Sequence, residues 1–262
     1  MKKSLRILGI TLLSFLIYYV LDERYFYHVR EWFYGIIPQL SVAHFIAYVL
    51  FGIPLFIGTV LITKPEQSID SLGLKGSLIQ GAGFALLFTL PMFIGYGFLF
   101  SFTDEISFDG IFIRTIAAGF FEELYFRAFL FGMIYRFTKF GFLPSIIIGA
   151  LLFGSVHLYQ SQDMGTMIGI FMTTFMGAIL FAWMYSEWSF NLWIPVFLHL
   201  FMNLSWLLFS VSDNAFGNLW GNVFRYSTVA FAITFTVIYK KRQGKELEIT
   251  GKTLWMKKVS GM

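Results

Sequence analysis

The chain has 262 residues, of which 57% are hydrophobic, 21% aromatic and only 13% charged, and its mean hydropathy is +0.71. A soluble globular domain carries about 25% charged residues, so this composition has too little polar surface for a water-exposed fold and indicates a polytopic membrane protein. The formal net charge is +4, with four histidines and no cysteine. Disulfides, thiolate metal sites and a cysteine nucleophile are thereby excluded, as is a metal cage rich in histidine.

A membrane-spanning helix needs about 20 apolar residues. Taken in chain order, about eight segments qualify: 5–21, 41–63, 77–102, 110–137, 142–160, 165–186, 191–211 and 223–239. The first follows Lys2, Lys3 and Arg6 and so resembles a signal peptide. No small-residue cleavage site follows Tyr18-Tyr19-Val20-Leu21-Asp22, and an uncleaved first span is expected. The fourth is long enough to hold a short interfacial helix plus a span. Between the second and third, the Pro- and Gly-bearing stretch 64–74 reads as a connector. Only helices and closed barrels satisfy their backbone in lipid, and these runs are too long and apolar for barrel strands. The expected fold is therefore all-α: one integral membrane domain over 1–262, a helical bundle ending in a basic tail at 240–262.

Lys and Arg in the loops set orientation. Lys2, Lys3, Arg6, Lys64, Lys75, Arg136, Lys139 and the tail lysines fall on one side, and Arg24, Arg30 and Arg225 on the other. Both termini are expected to be cytoplasmic. The excess of 19 basic over 15 acidic residues lies at span ends and in the tail, so it is no nucleic-acid signal.

Three polar clusters interrupt the apolar spans. An ionisable residue at membrane depth costs roughly 2.5–3.5 kcal/mol on insertion scales, and such residues mark functional sites. In the fourth span, Glu123 and Arg127 are four apart on a helix and share a face, which suits a structural brace. Glu122 lies about 100° round the helix and needs a partner from another span. A carboxylate so placed suits a general base or acid. In the fifth span, Phe153 and His157 are four apart, so that the ring can pack beside the imidazole. In the seventh, His199 and Asn203 share a face and could donate to a developing oxyanion; the plainer alternative is an interhelical polar clasp. His44 reads as an interhelical hydrogen-bonding residue, Arg114 as a snorkelling one, and Gly169 and Gly177 as close-packing positions. No Walker loop, dinucleotide fingerprint or His-Glu-x-x-His motif is present.

Together, Glu-Glu-x-x-x-Arg, Phe-x-x-x-His and His-x-x-x-Asn, in this order on three spans, resemble the CPBP family of CAAX-prenyl-endopeptidase-like and bacteriocin-processing (Abi) intramembrane proteases. The resemblance implies a helical bundle with a cavity open to membrane and water. It assigns catalytic roles to Glu122, His157, His199 and Asn203. Of these, Glu122 activates water with help from His157, and His199 and Asn203 form the oxyanion site. Glu123, Arg127 and Phe153 support them. No cofactor is expected. The alternative is Zn2+ held by Glu122, His157 and His199, which would consume Glu122 as a ligand. The implied partner is a membrane-embedded or lipid-anchored peptide or protein within the bilayer, prenylated or bacteriocin-type, with no nucleic acid. The expected location is a bacterial cytoplasmic membrane. Two other classes remain open at this point: a non-catalytic immunity or scaffold protein, and a proton-coupled carrier, which would show inverted repeats and broken helices.

Overall fold

The computed structural model describes residues 1–257. Each of the eight expected spans coincides with a helix: α1 (Lys2–Ile36), α2 (Leu40–Ile62), α3 (Leu78–Leu99), α4 (108–137), α5 (Phe142–Ser155), α6 (Met164–Glu187), α7 (Trp193–Leu208) and α8 (Leu219–Arg242). Among the described residues the only bridge is an isolated pair, Phe140 with Met256, and no strand forms. By length and composition five helices can cross a membrane: α1, α2, α3, α6, and α5 counted on to Gln160.

The breaks follow from local chemistry. α1 runs 35 residues, far past the expected 5–21, because nothing interrupts it before Pro38. Proline forces the preceding residue into extended backbone, and Ile37 has φ −121° and ψ 100°. α2 bends at Gly52, where Pro54 removes a backbone donor. The bend is filled by Tyr125, whose hydroxyl donates to the Tyr48 carbonyl at 2.6 Å; a Cβ on Gly52 would collide with that hydroxyl.

α4 is the central helix, and every residue from Glu123 to Phe131 is buried. A helix that is apolar all round belongs inside a bundle. It contacts α1, α5, α6 and α7. Two of its stretches, Phe112–Ala117 and Glu123–Phe131, are π-helical, a wider turn that is frequent at functional sites. α1 runs antiparallel to α4, with Phe15 edge-on to Phe126 at 5.1 Å and Tyr18 edge-on to Tyr125 at 4.9 Å. That register brings Asp22, one turn beyond Tyr18, level with Glu122.

Residues 243–257 of the basic tail fold back on the bundle. Glu187 at the end of α6 accepts from the Lys240 ammonium at 2.6 Å and from the backbone N–H of Glu248 and Ile249, each at 2.9 Å. The chain then folds back so that the carbonyls of Trp255, Thr253 and Leu254 take the N–H groups of Gly141, Phe142 and Leu143 at 2.8–2.9 Å. Those donors open α5 and have no partner within it. Lys240, expected at the membrane surface, is instead only 9% exposed.

Candidate active site

The site is built where α4 meets α7. Gly119 allows the approach: a Cβ there would stand 3.1 Å from the Leu200 nitrogen and 3.2 Å from the Val196 oxygen. One turn along α4, Glu123 is wholly buried between two cations or potential cations. Its Oε2 lies 3.1 Å from Arg127 Nε, and its Oε1 lies 2.8 Å from His199 Nδ1. The expected Glu123–Arg127 pair forms, and the histidine link is added to it. Because a carboxylate accepts, His199 Nδ1 carries the proton.

Arg127 is fully buried, and its three guanidinium nitrogens find no hydrogen-bond acceptor of good geometry. Aromatic faces take that place. The guanidinium carbon lies 4.1 Å from the centre of the Phe153 ring, 5.4 Å from Phe181 and 6.0 Å from Phe126. A desolvated cation over such rings gains about 2 kcal/mol or more from the ring quadrupole. Phe153 is therefore shared: His157 packs on it at 4.6 Å while Arg127 lies against it. Phe181, on α6, stacks on His199 at 5.2 Å as well as facing Arg127. Sequence reading did not single out Phe181, because one phenylalanine among 34 carries no signal of its own.

Glu122 has a different environment. Its side chain is 23% exposed, its Oε2 is sealed and has no hydrogen-bond partner, and the nearest ring nitrogen, His199 Nε2, is 3.9 Å away. The expected partner from another span is thus His199, held just beyond direct hydrogen-bond reach. His157 lies past the end of α5 rather than on it, since that helix ends at Ser155. Its Nδ1 is 2.7 Å from the Phe153 carbonyl. A carbonyl only accepts, so Nδ1–H donates, and in the neutral ring Nε2 is then the acceptor. Asn203 donates its amide to the Arg114 carbonyl at 3.0 Å, which links α7 to α4 and uses one of its two N–H groups.

Glu122, His157, His199, Asn203 and Phe153 all border one cavity of about 2390 Å³. Ligand pockets for small molecules measure about 300–1,000 Å³, so this one has room for a stretch of polypeptide. Asp22, His44, Tyr48 and Arg225 border it too. His44 does not make the interhelical hydrogen bond expected of it. Its Nδ1 is buried without a partner, and the ring packs edge-on to Phe26 at 4.9 Å and Tyr48 at 5.0 Å. Gly169 is a close-packing position, against the Phe216 ring, but Gly177 has nothing near it and opens on the cavity.

Among the described residues, no three His, Asp or Glu side chains converge closely enough to share a metal ion. His199 Nδ1 is turned to Glu123 and His157 Nδ1 to its own helix, and the two remaining ring nitrogens do not meet at Glu122 as a ligand set.

The stretch that carries the site, residues 106–205, matches the family of type II CAAX prenyl endopeptidase Rce1-like proteins. A curated protein of Bacillus subtilis (strain 168) named "Putative membrane peptidase YdiL" is 32% identical over 93 residues, which are 36% of this chain and 34% of that protein. The match therefore spans about a third of the relative's own length. No solved structure matches the chain. The family resemblance read from the three motifs is borne out by these findings, and so is the all-helical, polytopic architecture.

Proposed function

We propose that this protein is an intramembrane endopeptidase in which Glu122 activates the attacking water. The observation that carries this reading is the contrast between neighbours. Glu123 is consumed by Arg127 and His199, while Glu122 borders a peptide-sized cavity, is 23% exposed and makes no hydrogen bond. A brace needs one carboxylate, and the second is left for chemistry.

In the proposed reaction, water enters between Glu122 and His157. The His157 Nε2 lone pair orients one of its hydrogens and Glu122 takes the other. The water oxygen bonds to the scissile carbonyl carbon. The His199 imidazole borders the same cavity as Glu122, and the carbonyl oxygen is placed against its Nε2. With Nδ1–H held by Glu123, the imidazole is oriented so that Nε2 faces the oxyanion and donates to it when the ring carries a second proton, and the second Asn203 N–H assists. Collapse breaks the C–N bond, and Glu122 returns its proton to the departing amine, leaving one carboxylic and one amine terminus. No step is routed through a metal. The substrate is a membrane-embedded or lipid-anchored peptide or protein, and both termini of the enzyme lie on the cytoplasmic side, as the loop charges suggest.

The test compares membranes from cells making wild type or Glu122→Gln at matched levels, by mass spectrometry of new protein termini. Termini that appear only with wild type are expected. Full cleavage by Glu122→Gln would sink the assignment, and identical profiles would favour a scaffold or carrier.

A further inference from the structure

Two more charged groups border the cavity at depth, and each lacks a counter-ion. Asp22 on α1 has a sealed Oδ1 without a hydrogen-bond partner. No described cation lies within ion-pair distance of it; Arg30, two turns further along, is taken by Glu31. Aromatic groups surround this wall of the cavity, including Tyr19, Phe26 and Tyr48. The buried imidazole of His44 lies on the same wall, also with an unpartnered nitrogen. The other carboxylate oxygen, Oδ2, is not sealed, and an unpaired carboxylate beside aromatic side chains is a receptor for an ammonium or guanidinium group.

On the far side stands Arg225 of α8, 9% exposed. One nitrogen donates to the Ala215 carbonyl at 2.8 Å, and the guanidinium lies 4.1 Å over the Trp206 ring. Its other two nitrogens have no protein acceptor and are not sealed from the cavity, and no described carboxylate pairs with it. A planar guanidinium with free donors in a half-desolvated cavity is a receptor for a carboxylate. Arg225 lies outside the stretch matched by the family, which ends at residue 205.

The order of these groups across the cavity is fixed by contacts. Tyr48 stacks on Phe121 at 4.6 Å and meets Tyr125 at 6.4 Å, beside Glu122 on α4, and the α1–α4 register puts Asp22 at the same level. Glu122 faces His199, and Trp206, which carries Arg225, lies two turns beyond His199 on α7, about 10 Å along its axis. The Glu122–His199 pair is thus bracketed by an unpaired anion on the α1 side and an unpaired cation on the α8 side. The other charged residues of the lining, Glu23, Glu105, Arg114 and Asp213, are exposed.

Resting on the endopeptidase reading, we propose that Asp22 and Arg225 are specificity-determining residues that orient the substrate by charge. A basic group of the peptide lies at Asp22 on one side of the scissile bond, and a carboxylate lies at Arg225 on the other. That carboxylate is either an acidic side chain or a chain's own C-terminus; both offer the same chemistry to the guanidinium.

The probe is a synthetic library of quenched peptides in which one Lys and one Glu are walked along an apolar sequence, each made with a free and an amidated C-terminus. It is assayed with the full-length protein in detergent. Wild type is expected to prefer Lys on one side of the cut and a carboxylate on the other, each by about tenfold over a neutral residue. Loss of the preference on amidation assigns the carboxylate to the C-terminus, and persistence assigns it to the Glu side chain. Asp22→Asn should erase only the Lys preference and Arg225→Gln only the carboxylate preference, while Asp22→Glu and Arg225→Lys retain them. Residues that merely braced the fold would change the rate without changing these ratios. Cleavage by wild type that ignores charge, or that favours both charges on the same side, overturns the proposal without any variant being needed; unchanged ratios in both neutral variants overturn it too. An absence of Glu122-dependent cleavage of any peptide strikes at the endopeptidase reading itself and takes this proposal with it.

Discussion

The molecule buries two carboxylate-centred knots, and they are built in opposite ways. At the end of α6, Glu187 is satisfied by one ammonium and two backbone N–H groups. At mid-depth on α4, Glu123 holds Arg127 and His199, yet the guanidinium nitrogens lack good acceptors and depend on aromatic faces. The first knot closes the bundle and ties the returning chain to it. The second holds a histidine in one tautomer at the wall of a cavity. Full satisfaction marks a clasp, and incomplete satisfaction marks the place where the protein leaves groups available for chemistry.

The largest expected effect tests that difference directly. Arg127→Met leaves the buried Glu123 with only its His199 contact and should cost about 3–5 kcal/mol, seen as a loss of folded yield and of thermal stability in detergent. Replacing both partners, Glu123→Leu with Arg127→Leu, should recover much of the stability without recovering cleavage, because His199 loses its anchor. A double variant as unstable as the single would show that the knot is purely structural. Next comes Gly119→Leu, which wedges α4 from α7. Overpacking should cost about 1–3 kcal/mol, and displacing His199 by about 1 Å should slow cleavage on the order of a hundredfold. Thermal unfolding and turnover per folded molecule report the two separately; equal rates in both proteins would mean that the α4–α7 spacing does not set the site.

Glu187→Ala is expected to be milder, at about 1–3 kcal/mol. Lys240, 9% exposed, can snorkel to water, and the two backbone donors lie next to solvent. Limited proteolysis should then cut within 243–257, while turnover per folded molecule is retained. A dead but folded Glu187→Ala would break the separation of clasp from site. The smallest effect concerns the start of α6. Asp163 caps α6 through the Thr166 N–H at 2.8 Å and hydroxyl at 2.9 Å, and these donors hold its carboxyl below the usual range. A lowered folded-state pKa gives stability that is present above the unfolded value of about 3.9 and is lost as pH falls through the folded one. Protection of the amides at 164–167, measured as exchange relative to the intrinsic rate at each pH, should therefore fall on acidification below about pH 4, and Asp163→Asn, a cap without a titrating charge, should show no such step.

Much of the site was legible in sequence because charge in an apolar run is costly and stands out. Glu122, Glu123, Arg127, His157, His199 and Asn203 were all visible in this way, and five of the six lie where helical spacing puts them; His157 falls just past the helix that should have carried it. Phe181, Asp22 and Arg225 were not. Phe181 is one aromatic among many. Asp22 stood at the edge of an expected span and Arg225 at the start of one, where a charge is ordinary. The π-helical turns of α4 leave no periodic mark either, since the whole segment is buried and apolar on every side.

Sequence by itself determined the number, order and apolar character of the helices, and the pairing of Glu123 with Arg127. All of these depend on interactions within a few residues or on transfer from water to lipid. Only tertiary structure decided that Glu123 also takes His199, leaving Glu122 with that histidine held beyond hydrogen-bond reach. That outcome depends on His199 reaching Glu123 from 76 residues away, which the close contact at Gly119 permits. Tertiary packing likewise turned an apparently free basic tail into a cap for α5, because helix-end donors must find acceptors and the returning chain supplied them.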